Sequence, residues 1–117
     1  INVDAPVVQG DDWESLKLGV GLNHFSPLPG QPGNVVLSGH NDIFGQVFRD
    51  LDQLKPGDEI IVLTEKNAYT YNVQNTEVVL PHQVEVMAQT TDETITLISC
   101  YPYLVDDKRI IIKGKIL

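Results

Sequence analysis

Thr94-Ile95-Thr96-Leu97-Ile98-Ser99-Cys100 is a run of β-branched and apolar residues that ends on a cysteine, and a second such run, Lys108-Arg109-Ile110-Ile111-Ile112-Lys113-Gly114-Lys115, follows soon after it. Side chains branched at Cβ suit a pleated backbone, so both stretches read as strands. The turn-prone Tyr101-Pro102-Tyr103 lies between them. If the two strands pair antiparallel, the last residues of the first lie beside the first residues of the second. Cys100 and Arg109 are then neighbours.

Valine- and isoleucine-rich runs recur elsewhere, at Ile1–Val8, Asn34–Leu37, Glu59–Thr64 and Tyr69–Leu80, with a last run over Arg109–Leu117. Most are separated by turn-forming residues. In Tyr69-Thr70-Tyr71-Asn72-Val73 large apolar and polar residues alternate as in a half-buried antiparallel strand, and Glu65-Lys66-Asn67-Ala68 supplies the preceding turn of a hairpin. Helical signals are few. Asp12–Leu18 has room for a turn or two, Asp42–Leu54 carries Ile43, Val47, Leu51 and Leu54 at helical spacing, and Pro81 can open a further short turn. Many short strands with few helices predict a mainly β fold, a small β-barrel whose closure protects sheet edges.

The 117 residues suit a single domain spanning 1–117, with no repeat, linker or low-complexity tract to divide it. Hydrophobic residues at 42% and charged residues at 21% are ordinary for a packed globular chain. Sixteen acidic against eight basic residues give a net charge of −8, a field that repels a polyanionic backbone and argues against nucleic-acid binding. No apolar run reaches the roughly 20 residues needed to span a bilayer. The chain opens within a strand pattern, Ile1-Asn2-Val3-Asp4-Ala5-Pro6-Val7-Val8, so an export signal and anchor are expected upstream of Ile1.

One cysteine excludes an intramolecular disulfide and a multi-cysteine zinc site. A lone cysteine at a strand end is ordinarily a small buried hydrophobe. Here an arginine beside it would lower the thiol pKa and offer donors to a carbonyl oxygen gaining charge. Arg109 alone would read as a solvated cation paired with Asp106 or Asp107. A thiol nucleophile also needs a group that takes a proton and returns it, and histidine suits both tasks. Of three histidines, His40 is the best placed, because it follows Gly33-Asn34-Val35-Val36-Leu37-Ser38-Gly39, where a β run meets a glycine. His24 and His82 sit in loop contexts. Asp42 reads first as a helix cap and secondly as an orienting partner for His40. A metal set of His24, His40, Asp42 and Cys100 matches no ligand spacing.

Thr96-Leu97-Ile98-Ser99-Cys100, with Arg109 nine residues on, resembles the sortase signature Thr-Leu-x-Thr-Cys and its downstream arginine. Asn34-Val35-Val36-Leu37-Ser38-Gly39-His40 is similar to that family's histidine motif, Val3-Asp4-Ala5-Pro6-Val7-Val8 to its first strand, and Leu54-Lys55-Pro56-Gly57-Asp58-Glu59-Ile60 to its mid-domain turn. The resemblance implies an eight-stranded β-barrel and a transpeptidase that cleaves a Leu-Pro-x-Thr-Gly-like sorting signal. Cys100 would carry the acyl group as a thioester, His40 would shuttle the proton, and Arg109 would hold the substrate carbonyl or oxyanion. It also implies partners, namely secreted proteins with a C-terminal sorting signal and an amine acceptor on peptidoglycan or another protein. The implied location is the outer face of a bacterial membrane, reached through an N-terminal anchor.

Two departures from the pattern stand out. Ser99 replaces the usual threonine, removing a methyl expected to pack against the substrate threonine, and the isoleucine-proline segment before the first strand is missing. Pro81–Glu93 is too short for the long helix of the haem-uptake-related class, while Cys100-Tyr101-Pro102-Tyr103 resembles the class D enzymes of spore formers. No lid over Cys100, of the kind found in the pilin-polymerising class, is expected within residues 1–117. No cofactor is expected, since Glu65, Glu77, Asp92 and Glu93, the carboxylates available to calcium, are scattered in sequence. The competing readings are a non-catalytic β-barrel binding module and a cysteine endopeptidase that only hydrolyses the signal.

Overall fold

The computed structural model describes residues 7–9, 20–23, 27, 31–39, 48, 51–63, 67–80, 91–101 and 108–116, with the backbone alone for 7–9, 100 and 101. Its strands are β1 (Val7–Gln9), β2 (Val20–Leu22), β3 (Gly33–Ser38), β4 (Glu59–Leu63), β5 (Ala68–Val79), β6 (Glu93–Tyr101) and β7 (Lys108–Ile116). Among the described residues these seven form one sheet, in the order β1-β2-β3-β6-β7-β5-β4. Seven strands are seen among the described residues, against the eight that the family resemblance implies.

The sheet curls into a half-barrel. Val20 and Leu22 of β2 share a single apolar core with Val62 of β4, although five strand spacings of about 4.8 Å, or about 24 Å, would separate β2 from β4 on a flat sheet. The core-facing residues alternate strictly: Val35 and Leu37 on β3, Ile95 and Leu97 on β6, Ile110 and Ile112 on β7, Tyr71 and Val73 on β5. The central strands are buried on their other face as well, through Asn34, Val36, Thr96 and Ile111. That explains why they read as nearly continuous apolar runs.

β4 and β5 form the expected hairpin, with Leu63 opposite Ala68 and Glu59 opposite Asn72. Ala68 thus opens the strand instead of closing the turn. β4 ends the sheet, and its alternation is plain: Val62 is buried while Ile61 and Leu63 are 59% and 75% exposed. Ahead of β4, Lys55-Pro56-Gly57-Asp58 makes a tight turn closed by a 3.0 Å bond from the Asp58 N–H to the Lys55 carbonyl. Proline in the second place and a glycine at φ 96° in the third are the type II pattern. The Asp58 carboxylate accepts from the Lys55 N–H at 2.8 Å, and the turn docks on β5 through Gly57 N–H to Val73 carbonyl (2.9 Å) and Val73 N–H to Asp58 carbonyl (2.8 Å).

β2 was not foreseen, because three residues that include a glycine carry no alternation to detect. It pairs parallel with β1 and antiparallel with β3. Of the helix expected over Asp42–Leu54, the described part is a 3-10 turn, Leu51–Gln53. Bonds that span three residues, Leu51 N–H to Phe48 carbonyl and Leu54 N–H to Leu51 carbonyl, form the turn, and Phe48 and Leu51 enter the core. The segments expected to turn at Asp12–Leu18 and Pro81 lie outside the described residues. Among the described residues no helix is long and apolar enough to cross a membrane.

Candidate active site

β6 lies between β3, to which it runs parallel, and β7, to which it runs antiparallel. β7 brings Arg109 to the C-terminal end of β6, and β3 ends at the same end. In the β6–β7 ladder Cys100 is paired with Arg109, and residues directly opposite in such a ladder have Cβ atoms about 4.5–5.5 Å apart on one face of the sheet. The neighbour relationship expected from sequence is therefore present. Arg109 is half-buried, and one of its terminal nitrogens donates to the Lys108 carbonyl at 2.9 Å. Asp106 and Asp107, the carboxylates weighed as its partners, lie outside the described residues.

On the other side, β3 reaches the same end. Its ladder with β6 runs to Ser38 opposite Ile98 and is extended by a 3.1 Å bond from the Gly39 N–H to the Ile98 carbonyl. The Ser99 hydroxyl then donates to the Gly39 carbonyl at 2.9 Å. A Cβ on Gly39 would stand 2.8 Å from Cδ2 of Phe48, so the ring packs where any larger residue would put its side chain. His40 is the next residue in the chain and lies outside the described residues, as do His24, Asp42 and His82.

Ser99 lies on the core side of β6. It shares the alternation of Ile95 and Leu97, is 3% exposed, and turns its hydroxyl inward to Gly39. Its hydroxyl thus links β6 to the end of β3. The signal was available in the two-residue period of the strand, which separates Ser99 from Cys100 by face.

Further along the face that Cys100 and Arg109 share, each strand contributes to a ladder of side chains. Ile98 and Ile111 stand opposite each other, then Thr96 and Lys113. Thr96, fully buried, donates to Asn34 Oδ1 at 2.7 Å and accepts from the Lys113 ammonium at 3.4 Å. Thr94 also reaches Asn34 Oδ1 at 3.4 Å. Burial holds the Lys113 pKa below the usual lysine value, and the Glu77 carboxylate on β5 partly restores it. This network was not singled out from sequence. It ties the three central strands together.

Among the described residues no three histidine, cysteine, aspartate or glutamate side chains converge as a metal site. Of the acidic residues considered for calcium, Glu77 acts on Lys113 and Asp92 pairs with Lys115 at 3.5 Å, while Glu65 lies outside the described residues.

The fold is that of a sortase. The sortase domain family matches residues 1–117, and the chain belongs to the sortase family. It is 35% identical to sortase D of Bacillus subtilis (strain 168) over 98% of its own length and 59% of that protein's, the class D likeness that its Cys-Tyr-Pro-Tyr segment implied. Among solved structures it matches sortase C-1 of Actinomyces oris with a TM-score of 0.93 at 31% identity, covering 98% of this chain and 66% of that one. It also matches a sortase D5 transpeptidase of Clostridium perfringens with a TM-score of 0.87 at 29% identity, covering 95% and 69%.

Proposed function

We propose that residues 1–117 form a single catalytic domain of a cysteine transpeptidase in which Cys100, His40 and Arg109 act together on a Leu-Pro-x-Thr-Gly-like sorting signal. The observation that carries this reading is the pairing of Cys100 with Arg109 at the shared end of β6 and β7. Gly39 supports the third role, since it is bonded to β6 beside Cys100 and is followed at once by His40. Consecutive Cα atoms are about 3.8 Å apart, so His40 begins within one peptide unit of that anchor.

In this mechanism the thiol proton passes to His40 as sulfur attacks the threonine carbonyl. The guanidinium of Arg109 donates to the oxygen as it becomes negative, an electrostatic contribution that exists only once charge develops. Collapse of the tetrahedral adduct breaks the carbon–nitrogen bond, and His40 returns the proton to the departing glycine amine. The resulting thioester on Cys100 is attacked by an acceptor amine, whose proton His40 takes, and the thiol is regenerated with a new amide bond. The substrates are secreted proteins carrying the signal, and the acceptor is an amine on peptidoglycan or another protein, at the outer face of the bacterial membrane.

The test is product analysis by mass spectrometry after incubation with a panel of Leu-Pro-x-Thr-Gly-like peptides and triglycine, beside Cys100→Ala. Cleavage after threonine with joining to triglycine, present only with Cys100 intact, is the expected result. Cleavage without joining would point to the endopeptidase. No product across the panel, with Cys100 inert to a thiol probe, would point to the non-catalytic barrel.

A further inference from the structure

Gly39 is held from three directions. Its N–H donates to the Ile98 carbonyl at 3.1 Å, its carbonyl accepts from the Ser99 hydroxyl at 2.9 Å, and the Phe48 ring fills the space over its Cα. Two of these grips come from Ile98 and Ser99, the residues immediately before Cys100 in β6, across a separation of 60 residues for the Ser99 bond. The backbone bond is part of the ladder and would exist with any residue at 99. The hydroxyl bond is different, because it depends on the side chain and takes the last carbonyl before His40. Ser99 lies at 3% exposure, where that bond meets little competition from water.

We infer that Ser99 is a positioning residue for His40: its hydroxyl fixes the Gly39 carbonyl, and with it the point from which His40 departs, relative to the backbone of Cys100. This rests on the proposed roles of Cys100 and His40. Because the same β6 segment carries both the clamp and the nucleophile, any shift of β6 carries the anchor of His40 with it. The hydroxyl thereby conserves the spacing between the anchor of His40 and the backbone of Cys100. Proton transfer is steep in distance, and a displacement of about 1 Å can cost of order a hundredfold in rate.

The experiment compares Ser99→Val with Ser99→Thr, two side chains of one shape that differ in the hydroxyl, together with Ser99→Ala. Each is checked for folding by circular dichroism. Cys100 is the one cysteine of the chain, so its alkylation can be followed by intact mass without ambiguity. The expected result is that Ser99→Val and Ser99→Ala move the pH midpoint of Cys100 alkylation toward that of His40→Ala, while Ser99→Thr stays with the wild type. With peptide and triglycine, kcat falls about 10–100-fold in the valine variant with KM little changed, and threonine recovers it. Alkylation profiles of the folded valine and alanine variants that overlay the wild type would overturn the inference. Loss of function shared equally by valine and threonine would do the same, because it would reduce Ser99 to packing. Should the wild type form no product with any peptide, the proposed function fails, and the alkylation profiles still decide the role of Ser99.

Discussion

Cys100 and Arg109 face one another across the β6–β7 ladder, each close to the end of its strand. Antiparallel pairing makes that proximity a property of backbone register, so it does not depend on a long side chain reaching across a cleft. A sheet edge can fray, but β6 and β7 each have partners on both sides, β3 and β5 respectively. The pair is therefore carried on two interior strands and not on an edge strand.

Removing the two partners should have unequal effects. Cys100→Ala abolishes turnover and leaves the fold intact, since no other thiol can take the acyl group. Arg109→Ala lowers kcat by an amount equivalent to about 2.7–4 kcal/mol, the usual loss for one oxyanion donor. Arg109→Lys recovers only part of it, because a single ammonium cannot reproduce the planar fork of donors. Steady-state kinetics on a cleaved and joined peptide measures all three.

Lys113 gives the molecule a pH-dependent stability of predictable sign. Its folded pKa lies below the ordinary value of 10.5 because burial penalises the ammonium more than Glu77 supports it. The unfolded chain then binds the Lys113 proton more tightly than the folded one, so stability rises with pH between the lowered value and 10.5. Relative to Lys113→Met, the wild type should gain stability across that window and stay parallel to it at lower pH. Urea midpoints of both proteins from neutral pH upward test this, and a wild type that loses ground to Lys113→Met in that window would refute the sign.

Thr96→Val preserves volume and deletes the hydroxyl that donates to Asn34 at 2.7 Å and accepts from Lys113. A fully buried amide oxygen deprived of its short donor costs about 1–3 kcal/mol, to be read as a lowered urea midpoint with an unchanged m-value. Thr96→Ser, which keeps the hydroxyl, should cost less.

Gly57→Ala isolates backbone strain from steric conflict. A Cβ at that position would meet nothing within 4 Å, yet φ is 96°, a conformation L-residues rarely adopt. The expected loss is about 1–2 kcal/mol. It should appear in thermal unfolding and leave kcat of the folded protein unchanged, since the turn anchors β5 at Val73 and not the β6–β7 end.

Much of this architecture was legible from side-chain pattern alone. Long β-branched runs such as Thr94–Cys100 announced their strands, and a two-residue period identified the hairpin of β4 and β5. The neighbour relation of Cys100 and Arg109 followed from the order of the two runs on the condition that they pair antiparallel, as they do. Legibility failed where the information is non-local. β2 is three residues long and is defined by its neighbours β1 and β3. The parallel pairing of β3 with β6 left no trace in either segment, so the inward turn of Ser99 toward Gly39 could be seen only once both strands were in place. The roles of the site residues were read from chemistry and family resemblance, and the mutations above are what test them.

The pairing of β3 with β6 has a bearing on the order in which the molecule acquires its properties. Pairings that span some 60 residues must wait for the intervening loop to close, and such long-range sheets assemble slowly compared with local hairpins. β4 and β5 can zip together early. β6 joins β3 on one side and β7 on the other, so β3 waits for a partner some 60 residues further along the chain. The β6–β7 pairing that sets Cys100 opposite Arg109 is itself local, so what must wait is the joining of that pair to Gly39 at the end of β3. The last long-range step of folding is thus the one that brings the end of β3 up to the strand ends that carry Cys100 and Arg109.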